Sequence, residues 1–497
     1  MSPTVTTPTG TVGAGPVLDP TPRTPRHAPP GGPARAVLLI ACVAQFVLIV
    51  DDTIVNVALP SIGTDLGVAT HDLSWVVNAY FLTFGGLLLV GGRVADRLGP
   101  RRVFVTSLVV FTAASAICGA AWSSEVLIAA RAVQGMAAAL LSPAALALLL
   151  RAHPDGTART RALATWASLI GVGAASGLLL GGALTDLLSW RFIFYVNVPV
   201  AALALFAARR VLPADEDRKD AGTVGGGATG AVLGTAAVLL LVFTVVETQD
   251  AGWGATRTIL GLVGALVLST LFARSELRSA APLVPVTVRR RRSAMLADGM
   301  ILVAAAGLMA MFFLQTLFMQ RVLGFGALEA GLGFLPFSLG MGIASAAAGR
   351  LPPGSVRLPV AGGQLVGAAG LLAMSRLQPS SSYVWHVAPA LALTGLGVGT
   401  AFVVAMSVAT GRAGQDDGGS ASALLTTAQQ VGGAIGIAIA ATVTADRAAG
   451  DLARGAAPTD ALAGGLGVAF AVGAACMLTA AVLAIGLTRP TRGTVDG

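Results

Sequence analysis

Charge is what this chain has least of. Only 11% of its 497 residues are Asp, Glu, Lys or Arg, against 55% hydrophobic, and the mean hydropathy is +0.79. That balance excludes a water-soluble globule and describes an all-α polytopic membrane protein. Lysine is nearly missing: Lys219 stands alone among the 32 cationic residues. The net charge of +8 is therefore carried by arginines that punctuate the apolar runs instead of clustering on one face, so it reads as topology and not as a nucleic-acid surface. Cysteine is equally sparse. Cys42, Cys118 and Cys476 all lie inside apolar runs, and His27, His71, His153 and His386 are scattered, so neither a disulfide framework nor a metal site is expected.

What is present is apolar sequence in fourteen runs between residues 36 and 488. A bilayer core of about 30 Å needs about 20 such residues per helix, and lipid permits only helices or closed barrels. The runs lack strand-like alternation, so fourteen transmembrane helices follow, the eighth (258–273) being the shortest. Residues 1–34, rich in Pro, Thr and Gly, lack the basic start and short apolar core of a cleavable signal and are expected to be a disordered cytoplasmic tail. With both termini cytoplasmic, only Arg191, Arg257, Arg321, Arg376, Arg447 and Arg454 fall outside and Arg131 lies within a span; all other cations fall inside, as positive-inside retention requires. The run Arg289 to Arg292 places the loop between helices 8 and 9 inside independently.

Gly349 and Arg350 faintly repeat Gly92 and Arg93 after helix 10, two helices later than a simple duplication would put them. The expected organisation is a six-helix bundle (35–210), a charged linker (211–220), two inserted helices (221–274), a basic loop (275–292), a second six-helix bundle (293–488) and a cytoplasmic tail (489–497).

Residues 89–103, LVGGRVADRLGPRRV, close one run and open the next with a turn too short for anything but an antiparallel hairpin. This stretch resembles the signature loop between helices 2 and 3 of the major facilitator superfamily, a family of secondary transporters. The resemblance implies a cytoplasmic gate made by Gly92, Asp96, Arg97, Gly99, Arg101 and Arg102 that grips the opposite half.

Helix 1 carries Asp51 and Asp52 in VLIVDDTIVNVALP. An ionised carboxylate at mid-bilayer costs about 2.5 to 3.5 kcal/mol on the insertion scale, so the pair must face water, a partner or a proton. An outer water vestibule capped by the acids is one alternative. A prenyltransferase diphosphate site is another, but it would need a third Asp where Val55 stands. The stretch is similar to the helix 1 motif of the fourteen-helix drug-proton antiporter branch, which selects Asp51 as the protonatable residue. Helical periodicity instead groups Asp52 with Gln45 and Asn56 on one narrow face, leaving Asp51 with Ala44, Val55 and Ala58. Asp51 is ranked first for proton coupling, and Asp52 is expected to line the substrate cavity.

Helix 4 holds Arg131 in ARAVQGM, and an always-charged guanidinium in an apolar span must find carboxylates or carbonyls. Arg131, Gln134 and Gly135 match the family's Arg-x-x-Gln-Gly motif, which implies a part in proton transfer; an Arg that only ties helix 4 to its neighbours is the plain alternative. Gly173, Gly177, Gly181 and Gly182 form a small-residue seam on helix 5. It resembles the family's antiporter motif, with Leu178 in place of the motif proline. The following WRFIFYVNVP, including Asn197, again resembles the fourteen-helix branch.

Further cavity candidates are Asn78 and Tyr80 on helix 2, Gln134, and Gln315, Gln429 and Gln430 in the sparsely polar second half, beside Met309, Met311, Phe312 and Phe313. Together these features imply proton-coupled efflux of hydrophobic or cationic drugs or antibiotics across a bacterial cytoplasmic membrane, by alternating access. The expected partners are a small-molecule substrate, protons and lipid; the chain is expected to be a monomer, with a proton gradient and no cofactor. An importer or uniporter keeps the same scaffold. A membrane enzyme or sensor would need a catalytic cluster or an appended soluble domain, which neither loops nor tails contain.

Overall fold

The computed structural model describes residues 32–68, 73–153, 156–212, 215, 228–279, 292–348, 357–412 and 418–486. Among them fourteen helical runs follow one another: α1 (Gly32–Leu66), α2 (Leu73–Leu98), α3 (Pro100–Gly119), α4 (Ser124–Ala152), α5 (Gly156–Leu187), α6 (Phe192–Val211), α7 (Ala228–Ala251), α8 (Thr256–Arg278), α9 (Arg292–Leu317), α10 (Ala327–Ala348), α11 (Arg357–Met374), α12 (Ala388–Arg412), α13 (Gly418–Ala453) and α14 (Pro458–Ile485). A π-helical turn, Phe318–Val322, extends α9, and another, Tyr383–Val387, leads into α12. Ten of the helices are long and apolar enough to cross a membrane, making this an integral membrane protein. The expectation that helix 8 is the shortest is corrected: α8 has 23 residues and α11 only 18. The apolar run undercounted α8 because its ends carry polar residues, Thr256 and Arg257 at one and Arg274 to Arg278 at the other. The expected first tail (1–34) ends earlier than predicted, since α1 already begins at Gly32, and residues 1–31, 489–497, the basic loop around 289 and the Gly349–Arg350 turn lie outside the described residues.

Local chemistry sets the ends. Ser123 caps α4 by accepting the Val126 N–H at 3.5 Å, with Glu125 in the first turn and Arg151 in the last, the charge order a helix dipole favours. Between α2 and α3 the whole turn is Gly99, whose φ of 90° suits glycine, followed by Pro100 at the first helical position.

In the first half α1 packs on α5, α2 on α4, and α3 on both α4 and α6. Eight helices later the same pairings recur: α9 with α13, α10 with α12, and α11 with both α12 and α14. The halves meet through a matching exchange, α5 with α10 and α2 with α13. The inserted α7 lies against both α2 and α13, tied by the Thr235 hydroxyl donating to the Gly86 carbonyl at 2.6 Å and by Phe243 packing on Trp75. On its far side α7 carries α8, whose Leu260, Val263, Leu266 and Val267 are exposed, an apolar surface suited to lipid.

Close backbone approach holds each bundle together. A Cβ on Gly91 would lie 2.0 Å from the Ala139 carbonyl oxygen of α4, whereas one on Gly92 would meet nothing within 4 Å. Gly91→Ala is therefore expected to destabilise the first half by about 1 to 3 kcal/mol. Gly92→Ala should be neutral, or stabilising by up to about 1 kcal/mol through helix propensity. Unfolding temperatures of the two variants in detergent check this contrast; equal shifts would contradict the packing described.

Candidate functional site

The first half encloses a polar cluster in an otherwise apolar interior. Asp51 of α1 is completely buried, and both carboxylate oxygens are occupied. Oδ2 accepts from Arg131 Nη1 at 2.7 Å, and Oδ1 accepts from Gln134 Nε2 and Asn197 Nδ2, each at 2.8 Å. Arg131, equally buried, also donates to Gln134 Oε1 at 2.9 Å and through Nε to the Val76 carbonyl at 3.1 Å. The Tyr80 ring lies 4.2 Å from its Cζ, so an aromatic face covers the guanidinium. Ser115 Oγ accepts from Gln134 and Asn197 at 3.2 Å each and donates its O–H to the Phe194 carbonyl at 2.9 Å. Five helices thus converge on one ion pair whose carboxylate accepts three hydrogen bonds and whose guanidinium donates three, the kind of satisfaction under which a buried pair is tolerated.

Placement of the acid follows from the glycines of α5. A Cβ on Gly177 would stand 2.0 Å from Thr53 Oγ1 and one on Gly181 2.6 Å from the Ile54 carbonyl oxygen, while Gly173 faces Ile49. The seam therefore seats the turn of α1 that carries Asp51 directly on α5. Gly182 belongs to a different contact, facing the Ala327 carbonyl of α10. Leu178, which stands where the family motif carries proline, is buried, and its carbonyl oxygen is the atom that a Cβ on Gly331 of α10 would meet first.

Asp52 points elsewhere. It is half-buried and faces Gln430 of α13 across the junction of the halves, with Asp52 Oδ1 and Gln430 Nε2 both lacking a partner at bonding distance. Gln430 in turn sits where a Cβ on Gly85 would be 2.9 Å from its own. Asn78 lies two turns from Gly85 on the same side of α2, and neither of its amide atoms has a partner. Asn56 donates back to the Asp52 carbonyl at 3.2 Å and leaves its oxygen unpartnered. Met309 reaches Gly433 at the same junction.

Three other cavity candidates are engaged elsewhere. Gln134 belongs to the Asp51 cluster, Tyr80 covers Arg131, and Gln45 accepts from Ser142 of α4 at 3.1 Å. Gln315 is fully buried with both amide atoms unpartnered, and Gln429 is half-buried. Phe312 packs on Phe334 and Phe337 inside the second half, beside the buried Met311 and Phe313. Ser115 and the Val76 carbonyl gave no sequence signal. Asn197 did stand in a recognisable motif, but its distance of 146 residues from Asp51 hid the contact.

At the α2–α3 turn, Asp215 from the linker accepts the Arg101 and Arg102 N–H groups at 3.1 and 2.9 Å, and Arg101 Nη2 donates to the Arg209 carbonyl at 3.3 Å. These partners belong to the exit of the first half itself, not to the opposite half. The Asp96 side chain and residues 349–356 and 413–417 lie outside the described residues, and Arg97 is exposed. Among the described residues no group of His, Cys, Asp and Glu could hold a metal ion.

Removing one member of the buried pair leaves the other charged and stranded. Asp51→Ala is expected to cost about 3 to 5 kcal/mol, whereas Asp51→Ala with Arg131→Leu should cost clearly less than the sum of the single changes. A double-mutant cycle on denaturation midpoints checks this, and additive losses would contradict the coupling.

A family model for the Major Facilitator Superfamily matches residues 41–437. The cephamycin export protein CmcT of Amycolatopsis lactamdurans is 40% identical over 470 residues, covering 93% of this chain and 94% of its own. The puromycin resistance protein pur8 of Streptomyces alboniger is 39% identical over 458 residues, 90% of each chain. Among solved structures, the POT family transporter PepTSo superposes with a TM-score of 0.65 at 13% identity, covering 92% of this chain and 97% of that one. A bacterial Spinster homologue gives 0.62 at 16% identity, with the same two coverages. These two likenesses are of fold alone. With the family matched along most of its length and its relatives covered almost end to end, this chain belongs to the major facilitator superfamily.

Proposed function

We propose that this chain is a proton-coupled exporter that moves a small antibiotic or drug out of the cell by alternating access between its two six-helix halves. The observation that carries the reading is the fully buried Asp51–Arg131 pair on α1 and α4. A carboxylate and a guanidinium sealed from water respond to a single proton, because neutralising Asp51 removes the attraction that holds α1 to α4. The direction of transport is supported by relatives named for cephamycin export and for puromycin and lincomycin resistance, the last 36% identical over 404 residues.

In this reading the proton reaches Asp51 from the outer side, and the protonated acid releases Arg131 to Gln134 and the Val76 carbonyl. α1 then shifts on the α5 glycine seam, and the junction lined by Asp52, Asn56, Asn78 and Gln430 changes its access. Substrate and proton are exchanged there in opposite directions, with Gln45, Tyr80, Gln134, Gln315 and Gln429 as supporting groups around the path. The gate turn, with Gly92, Asp96, Arg97, Gly99, Arg101 and Arg102, lies on the cytoplasmic side, as do both termini. The location is a bacterial cytoplasmic membrane, the working unit a monomer, and the driving force the proton gradient without a cofactor.

An efflux panel of antibiotics and dyes in a pump-deficient host tests this. Expression is expected to lower accumulation of at least one antibiotic by about tenfold, and a protonophore to abolish the difference. In proteoliposomes, Asp51→Asn should lose proton movement in exchange for substrate. Undiminished exchange by that variant would overturn the role of Asp51, and efflux indifferent to the protonophore would favour a uniporter.

A further inference from the structure

The halves are joined by hydrogen bonds at the end of the bundle that carries the α1–α2, α5–α6 and α9–α10 connections. Asp186, in the last turn of α5, accepts the N–H groups of Ala327 and Leu328 at 3.0 and 2.6 Å, one on each carboxylate oxygen. These are first-turn amides of α10, donors with no intrahelical acceptor at the positive end of the helix dipole. Glu329, from α10 itself, takes the neighbouring Gly326 N–H at 3.0 Å. The amides are thus divided between an acid of their own half and an acid of the other. Beside them, Gln320 Nε2 donates to the Val57 carbonyl at 2.7 Å and Arg321 Nη2 to the Pro60 carbonyl at 3.3 Å, both on α1. Beneath these bonds the backbones touch: a Cβ on Gly182 would be 2.6 Å from the Ala327 oxygen, and one on Gly331 2.6 Å from the Leu178 oxygen.

We propose that Asp186 is the principal latch of the outer gate, and that Gln320 and Arg321 form its second strand. All four bonds cross between halves and have sharp distance limits, so separating the halves at this end by a few ångströms breaks them together. A contact made in one of two states and lost in the other shifts their ratio by its full worth. The second strand grips α1 at Val57 and Pro60, the same helix that carries Asp51, so a displacement of α1 that follows protonation bears directly on the latch. Asp186 neither touches the Asp51 cluster nor faces the junction lined by Asp52 and Gln430. It is a positioning residue that sets which face of the transporter is closed.

The inference rests on the alternating-access reading above. Its test uses the full chain in nanodiscs, with spin labels on Leu188→Cys and Val384→Cys and the native cysteines replaced by alanine. Both label sites are exposed at the outer end, one in each half. The parent is expected to show a dominant short distance and a minor long one. Asp186→Ala should raise the long-to-short ratio by about tenfold, Asp186→Asn, whose amide oxygen still accepts, by less, and Gln320→Ala in the same direction. Asp65→Ala breaks an outer-end pair with Arg191 inside one half and should leave the ratio unchanged. An unaltered ratio in Asp186→Ala with Gln320→Ala also unaltered would overturn the latch, as would an equal shift in Asp65→Ala. A parent with one distance, with or without an imposed proton gradient, would instead count against alternating access. Should Asp186→Ala fail to fold, Asp186→Asn and Gln320→Ala carry the same comparison.

Discussion

The Asp51–Arg131 pair constrains the first half more than any other contact. Two full charges without water are tolerated only where hydrogen bonds replace the lost hydration, and here that requirement recruits α1, α2, α3, α4 and α6 at once. The apolar packing around it has a wide choice of equivalent arrangements, whereas this network has one. The glycines of α5 serve the same end, since side chains at Gly177 or Gly181 would push α1 away from the position from which Asp51 meets Arg131.

Adjacent acids in one helix have been given opposite surroundings. About 100° of rotation separates Asp51 from Asp52, enough to turn one into the interior of a bundle and the other toward the opposite half. Asp51 is therefore locked into a hydrogen-bonded network, while Asp52 faces Gln430 across the junction of the halves. The proposed coupling of proton and substrate uses this division: Asp51 as the group whose state is set by a proton, and Asp52, one residue on, as the group exposed to what passes between the halves. Coupling then requires no long pathway, because both groups ride on the same turn of α1.

Much of this was legible in the sequence because membranes narrow the choices. Fourteen apolar runs could only become helices, and Arg131 in the middle of one had to seek a carboxylate, of which helix 1 offered two. Helical angle alone put Asp52, Gln45 and Asn56 together and could not say which acid Arg131 would take, since that depends on how α1 is rotated against α4. The contacts made by backbone atoms were not legible at all. The Val76 carbonyl beside Arg131, the Ala327 and Leu328 amides beside Asp186 and the Arg101 and Arg102 amides beside Asp215 carry no residue-type signal. For Tyr80 and Gln134 the residue type could not separate a ligand-facing role from a neighbour-facing one, because their chemistry suits both; the structure sets them beside Arg131 and Asp51. Only the packing of α2 on α4 decides between those uses.

The glycine contacts also give the register between the two halves, and with it the reason the charge sits in only one. In the first half Gly177 and Gly181 abut α1 at the carbonyls of Val50 and Ile54; in the second, Gly432 and Gly436 abut α9 at the carbonyls of Leu302 and Ala306. The four-residue spacing is the same, so Asp51 and Asp52 correspond to Val303 and Ala304. The backbone scaffold that seats the acid pair is therefore repeated in full, but its second copy holds apolar residues that cost nothing in lipid. A buried acid needs an Arg, two amides and a hydroxyl assembled around it, and a second such assembly would add cost without adding a second function. What the second half contributes is instead at its surfaces: Gln430 facing Asp52 and the α10 amides facing Asp186. In the proposed mechanism one half carries the switch, and the other supplies the face against which its movement is felt.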